Sequence, residues 1–273
     1  MRLKVREITI ISLTILLATF IGIFIAGLFI NESHYSVSLT QVFERPSWQH
    51  VFGTDAMGRD MLSRTLKGLS LSIKIGLICT FSSSILAIIL GVFAPILGKR
   101  ADAIVGWLVD LALSVPHTLV VILIAVAVGG GVKGIWIGIT LTHWTSLTRV
   151  IRAEVKQIQS MPFVKISSKM GKSTVYIAFH HVMPLILPQL LIGMVLIFPH
   201  AILHEASITF LGFGLPPHEP AIGIILSESM KYLTSGKWWL AFFPGLSLVT
   251  LSLMIDGLAS GIKKWLTPET AYL

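Results

Sequence analysis

The sequence predicts an all-α membrane protein with six transmembrane helices. Three observations carry that prediction. Only 12% of the 273 residues are charged and 54% are hydrophobic, where a soluble domain is about a quarter charged. The apolar residues collect into runs near the ~20 residues that cross a hydrocarbon layer. The formal charge of +8 sits mostly between those runs, as expected of Lys and Arg beside an anionic inner leaflet. A nucleic-acid-binding protein would instead carry its basic charge as a patch on a soluble fold. The lone cysteine, Cys79, lies inside an apolar run and excludes an internal disulfide.

The elements follow in order. Residues 8–30 form an apolar run behind the basic start Arg2, Lys4 and Arg6. No small-x-small cleavage site follows it, so it reads as a retained span and not a signal peptide. It defines an N-terminal transmembrane unit, 1–30. Residues 31–70 are polar and turn-rich, the composition of an extracytoplasmic loop. Five further spans are expected at about 71–97, 103–128, 135–150, 185–208 and 240–262, within a core unit of 71–266. The breaks "LGKRAD" (97–102) and "GGGVKG" (129–134) separate the second, third and fourth. With the N-terminus inside, Lys and Arg number 13 in inner segments against 7 in outer ones, Lys74 aside. That asymmetry orients both termini toward the cytoplasm of a multi-pass cell-membrane protein.

The stretch "FVKISSKMGKSTVYIAFHHVMP" (163–184) is then cytoplasmic. It contains Gly171-Lys172-Ser173, the end of a phosphate-loop pattern, but Ile166 stands where the first glycine is required. ATP binding in this chain is therefore rejected. Pro162 suits a first helical position, and Gly171 suits a stop. Between them Phe163, Ile166 and Met170 share one side while Lys165, Lys169 and Lys172 fall elsewhere. The expected element is a short amphipathic helix near 162–172, built to dock on lipid or in a protein groove.

Here the residues carry a resemblance. The segment resembles the cytoplasmic coupling loop of permease subunits of binding-protein-dependent ABC importers. Lys165-Ile166-Ser167 occupies the Glu-Ala-Ala slot of that pattern, Gly171 its glycine, and His181-Val182-Met183-Pro184 its end. The leading acid is replaced by lysine. "FGTDAMGRDMLSR" (52–64) resembles the signature of the dipeptide, oligopeptide and nickel branch, and "HEASITFLGFGLPP" (204–217) a second motif of it. "WWLAFFPGLSLV" (238–249) resembles the opening of the last span. The tail 262–268 resembles the closing segment, with Thr267 where Asp is common.

The resemblance implies a type I importer permease fold with a cytoplasmic coupling helix. It implies four kinds of partner: a second permease, two cytoplasmic ATPases, an extracytoplasmic solute-binding protein and the bilayer. ATP and Mg belong to the ATPases, so this chain needs no cofactor and is not an enzyme. The ATPase-coupling residues expected are Pro162, Phe163, Val164, Lys165, Ile166, Ser167, Met170 and Gly171. The cargo is nickel or a metal chelate, or a di- or oligopeptide. The compact outer loop and outer histidines favour the metal.

Other residues have two readings each. Asp110 and Asp256 lie in expected spans, where acids are costly and either functional or paired. His200 and His204 share a helix face at metal-ligand spacing beside Glu205. Two ligands do not make a site, and hydrogen bonding at an interface is the commoner use, so no metal site is assigned. Asp110, His200, His204 and Glu205 remain candidates for the translocation path. His180 and His181 cap or snorkel, and Gly129–Gly131 turns the chain. Trp136, Trp144, Trp238 and Trp239 suit the interface belt. Asp55, Arg59 and Asp60 of the outer loop either seat the binding protein or pair among themselves, the spacing allowing Asp55–Arg59 on one helical turn. An ion-coupled secondary transporter is the alternative, but inverted repeats and broken mid-membrane helices are not evident. A membrane enzyme would need a nucleophile–base or metal constellation, and none stands out.

Overall fold

The computed structural model describes residues 2–266. Ten α-helices follow in order: α1 (Arg2–Phe29), α2 (Met61–Leu97), α3 (Lys99–Ser114), α4 (His117–Ala127), α5 (Gly131–Ser160), α6 (Pro162–Lys169), α7 (Thr174–Ile177), α8 (Met183–Phe210), α9 (Ile222–Met230) and α10 (Trp239–Leu266). Among the described residues there is no strand, only an isolated bridge between Thr54 and Asp60. The all-α expectation holds.

Among the described residues four stretches are long and apolar enough to cross a bilayer: Ile10–Phe29, Met61–Leu97, Thr174–Phe210 and Trp239–Lys263. A fifth is formed if α3 and α4, bent by 95°, count as one broken span. The bend replaces the single straight span expected at 103–128. Its cause is local: Pro116 lacks an N–H, its ring keeps Val115 extended (φ −100°, ψ 140°), and the helix cannot continue. The remaining expected span, 135–150, lies in α5, which is long but not apolar enough to qualify by itself. The closing motif reaches Thr267 and Pro268, which lie outside the described residues.

α2 is the axis of the bundle. Its 37 residues rise about 55 Å, well beyond a ~30 Å hydrocarbon layer. It starts ten residues before the expected span because Asp60 caps it, accepting from Ser63 N at 2.8 Å. Around its first third, Met61, Leu69 and Ile73 pack with Ile202, Ile222, Trp239 and Leu251. Around its last third, Ala87 and Val92 pack with Ile151, Val155, Val164 and Ile186. The segment 31–60 therefore sits at one end of the bundle and α6 at the other.

Close helix contact depends on missing side chains. α5 meets α4 through Gly134 and Gly138, where a Cβ would stand 2.7 Å from Ala125 O and 2.9 Å from Val121 O. Backbone cannot give way, and small residues four apart are how membrane helices approach this closely. Gly129, Gly130 and Gly131, all with positive φ, make the expected turn between these helices.

Trp238 is 53% exposed and suits an interface position, whereas Trp239 is 3% exposed. The belt role expected for Trp239 is corrected: Trp238 precedes α10 and points outward, whereas Trp239 opens the helix and packs inward over Gly53.

Candidate functional site

Two regions carry chemistry. The first is the α6 end. Pro162 takes the first helical position, behind the extended Met161 (φ −68°, ψ 144°). The helix stops as expected at Gly171, whose φ of +80° is left-handed. Gly171 N donates to Ser168 O at 3.0 Å and Lys172 N to Ser167 O at 3.2 Å, the paired bonds of a Schellman stop. Ser173 then starts α7 by accepting from Tyr176 N at 3.2 Å. The "GKST" run is thus one helix ending and another beginning, which is why it mimics a phosphate loop without being one.

The expected amphipathic face is present. Phe163, Ile166 and Met170 are 43%, 57% and 73% exposed. Val164 and Ser167 turn inward: Val164 joins the apolar cluster on α2, α5 and α8, and Ser167 Oγ lies 3.0 Å from His181 Nε2. The residues named from sequence for this helix thus divide into a presented set and an anchoring set. His181 also meets Phe163 edge-on at 5.7 Å, and Tyr176 stacks on His180 at 4.1 Å. The His181 contacts bind α6, and the Tyr176 stack binds α7, to the π-helical turn Ala178–Val182 that leads into α8. The chain is helical through this turn, so Pro184 sits within the first turn of α8 and does not interrupt it.

The second region lies between α4, α5 and α8. The imidazoles of His117, His143 and His204 converge, with one nitrogen of each within 4.8 Å of the others. Ring centroids are 4.5 Å apart for His117–His143 and His117–His204, and 5.2 Å for His143–His204. His143 Nδ1 lies 3.1 Å from Ile139 O, which can only accept. Nδ1 therefore carries the proton and Nε2 presents a lone pair. His117 Nδ1 is fully buried with no hydrogen-bond partner among the described residues.

Sequence reading reached one of these three residues, His204. His200, its neighbour one turn earlier, is exposed and outside the cluster. His117 and His143 went unremarked, although an ionisable residue in an apolar span is itself a signal. The other path candidates separate. Glu205 is wholly buried and faces α2, accepting from Ser72 Oγ at 2.5 Å and from Thr209 Oγ1 at 3.1 Å. Asp110 is 73% exposed and 2.9 Å from Arg149 Nη2.

At the end opposite α6, the 52–64 motif folds as a turn that runs into the first residues of α2. Asp55 Oδ1 accepts from Met57 N (2.8 Å) and Arg59 N (3.0 Å), and its Oδ2 accepts from Arg59 Nε at 2.7 Å. The Asp55–Arg59 pairing is as expected, but on an Asx-type turn and not a helix. Arg64 and Glu228 complete the network. Thr54 Oγ1 donates to Gln41 O, tying the 41–44 segment to this turn. Beside it an open cleft of about 630 Å³ is lined by Tyr35, Arg59, Lys67, Lys74 and Glu219, and by none of the three histidines.

Comparison with known proteins adds a family. The sequence profile of "Binding-protein-dependent transport system inner membrane component" matches residues 83–267. The chain is 30% identical over 268 residues to the dipeptide transport system permease protein DppC of Bacillus subtilis (strain 168), covering 98% of this chain and 84% of that one. It is 29% identical over 265 residues to the oligopeptide transport system permease protein OppC of the same organism, covering 96% and 87%. Among solved structures, a chain of the MetNI methionine ABC transporter in an inward-facing conformation superposes with a TM-score of 0.61 at 16% identity, over 76% of this chain and 98% of that one. That likeness concerns the fold alone.

Proposed function

The chain belongs to the binding-protein-dependent transport system inner membrane components, and from that premise we propose that it is one permease half of an ATP-driven importer. It pairs with a second, similar permease, two cytoplasmic ATPases and an extracytoplasmic binding protein. Both termini and α6 face the cytoplasm. The cargo belongs to one of two classes, a nickel ion or metal chelate, or a di- or oligopeptide. The names of the relatives support the peptide class.

One observation carries the coupling role: a short helix presents Phe163, Ile166 and Met170 to the surroundings while Val164 and Ser167 lock its other side to the bundle. A rigid foot with an apolar sole is what a moving partner needs to push. The energy source lies outside the chain, so a two-state bundle must be biased through such a contact. Lys165, Lys169 and Lys172 form a charged border that suits the rim of a groove.

The test is uptake in liposomes holding the assembled complex, with ATP and binding protein supplied. Phe163→Asp and Met170→Asp are expected to abolish ATP-driven uptake and lower co-purification of the ATPases, while the permease stays in the membrane. Unchanged uptake in both variants overturns the coupling role. Labelling of Lys169 by an impermeant reagent from outside intact cells overturns the orientation.

A further inference from the structure

We propose that His117, His143 and His204 form a three-imidazole site that takes the transported cargo, and that this cargo is a divalent late first-row metal ion such as Ni²⁺ or Co²⁺. The proposal rests on the importer reading above and chooses between its two cargo classes. Three side chains from three helices converge here, although 26 and 61 residues separate them in sequence. Imidazole binds metal through a neutral ring nitrogen at about 2.0–2.1 Å, so ligand nitrogens in one sphere stand about 3.4 Å apart. The observed nitrogens lie within 4.8 Å of one another. Small side-chain rotations close that gap.

Two of the three rings are prepared for the task. The bond from His143 Nδ1 to Ile139 O holds the ring and leaves Nε2 basic, as a supporting carbonyl does for metal-bound histidine. His117 Nδ1 is buried without a partner, a cost that a ligand would remove.

The donor set also selects the ion. Imidazole nitrogen suits Ni²⁺, Co²⁺, Cu²⁺ and Zn²⁺, whereas Mg²⁺ and Ca²⁺ require oxygen. No thiolate or free carboxylate takes part, because Glu205 is engaged by Ser72 and Thr209. Three neutral ligands leave coordination positions for water or a chelator and hold the ion without trapping it. A conduit must release what it binds. His117 directly follows the Pro116 break between α3 and α4, so a change in that bend would carry His117 away from the other two and open the site.

The experiment uses the full chain with its partner subunits, purified in lipid nanodiscs through a tag without histidine. Equilibrium dialysis with radiolabelled Ni²⁺ is expected to show one site, lost at least tenfold in affinity in His117→Ala, His143→Ala and His204→Ala, and unchanged in His34→Ala. Tenfold excess Mg²⁺ should not compete. X-ray absorption at the metal edge of the wild-type complex should count about three imidazoles, a readout that does not depend on any variant folding. Bound metal with oxygen ligands only, or no bound metal while peptide uptake is ATP-driven, overturns the site and leaves the importer reading standing. Three imidazoles on the metal with no ATP-driven uptake of any cargo would keep the site and overturn the importer.

Discussion

The guanidinium of Arg64 bridges two carboxylates, donating from Nη1 to Asp55 at 2.6 Å and from Nη2 to Glu228 at 2.9 Å, the latter 164 residues further along the chain. Arg64 is 3% exposed and Asp55 8%, so that bond is shielded from water, whereas Glu228 is 34% exposed and its bond is partly screened. The pair fastens the turn at Asp55 and the start of α2 to α9. A lysine cannot fork in this way, and removing Arg64 leaves both carboxylates to Arg59 alone. Because Arg59 still pairs with both carboxylates, Arg64→Leu should cost about 1–3 kcal/mol. Arg64→Lys should fall between it and wild type in thermal unfolding followed by tryptophan fluorescence. A midpoint for Arg64→Leu equal to wild type would mean that the turn is held by something else.

Glu205 is the other buried acid with assigned donors, and its neighbours give a graded prediction. Ser72 Oγ and Thr209 Oγ1 both donate to it. Glu205→Gln keeps an acceptor oxygen and the shape, whereas Glu205→Ala leaves the hydroxyl protons of Ser72 and Thr209 without their acceptor. Each such group costs about 1–3 kcal/mol. Membrane abundance of the alanine variant should drop well below that of the glutamine variant, and Ser72→Ala should partly restore it. If both variants at 205 accumulate equally, the α2–α8 clamp does not contribute to assembly.

The α6 foot was legible in the sequence because its start, stop and face are all local: Pro162, Gly171, and the Phe163–Ile166–Met170 spacing lie within ten residues. The motif pairing Asp55 with Arg59 was legible for the same reason, though the turn type was not. What sequence could not supply is long-range. Nothing near Arg64 points to Glu228, and no spacing relates His117 to His143 or His204. The bend at Pro116 lies inside a run of apolar residues whose continuity hid the Val-Pro step. Trp238 and Trp239 are adjacent and equally apolar, so composition cannot tell the one facing outward from the one packed on Gly53.

The α4–α5 contact yields a prediction about the histidines themselves. At Gly138 a Cβ would meet the Val121 carbonyl at 2.9 Å. Gly138→Leu forces α4 and α5 apart, and overpacking of this kind costs about 1–3 kcal/mol. His117 rides on α4 and His143 on α5, so the wedge separates them too. Ni²⁺ affinity should fall in Gly138→Leu although no histidine is changed. Gly22→Ala, at a position with nothing within 4 Å, is the matched control. Equal affinity in the two variants would show that the helix spacing does not set the site.

Gly171 allows the stop of the foot to be tested apart from its sole. Its φ of +80° is closed to proline, whose ring fixes φ near −65°, and its N–H donates to Ser168 O at 3.0 Å. Gly171→Pro therefore breaks both the geometry and the bond that end α6, and leaves Phe163, Ile166 and Met170 in place. Gly171→Asn keeps the N–H and tolerates the left-handed conformation at a small cost. If coupling needs the foot held at a fixed angle, proline should abolish ATP-driven uptake and asparagine should retain most of it, with equal amounts of both in the membrane. Uptake by the proline variant at the wild-type rate would show that the apolar sole suffices without a rigid stop behind it.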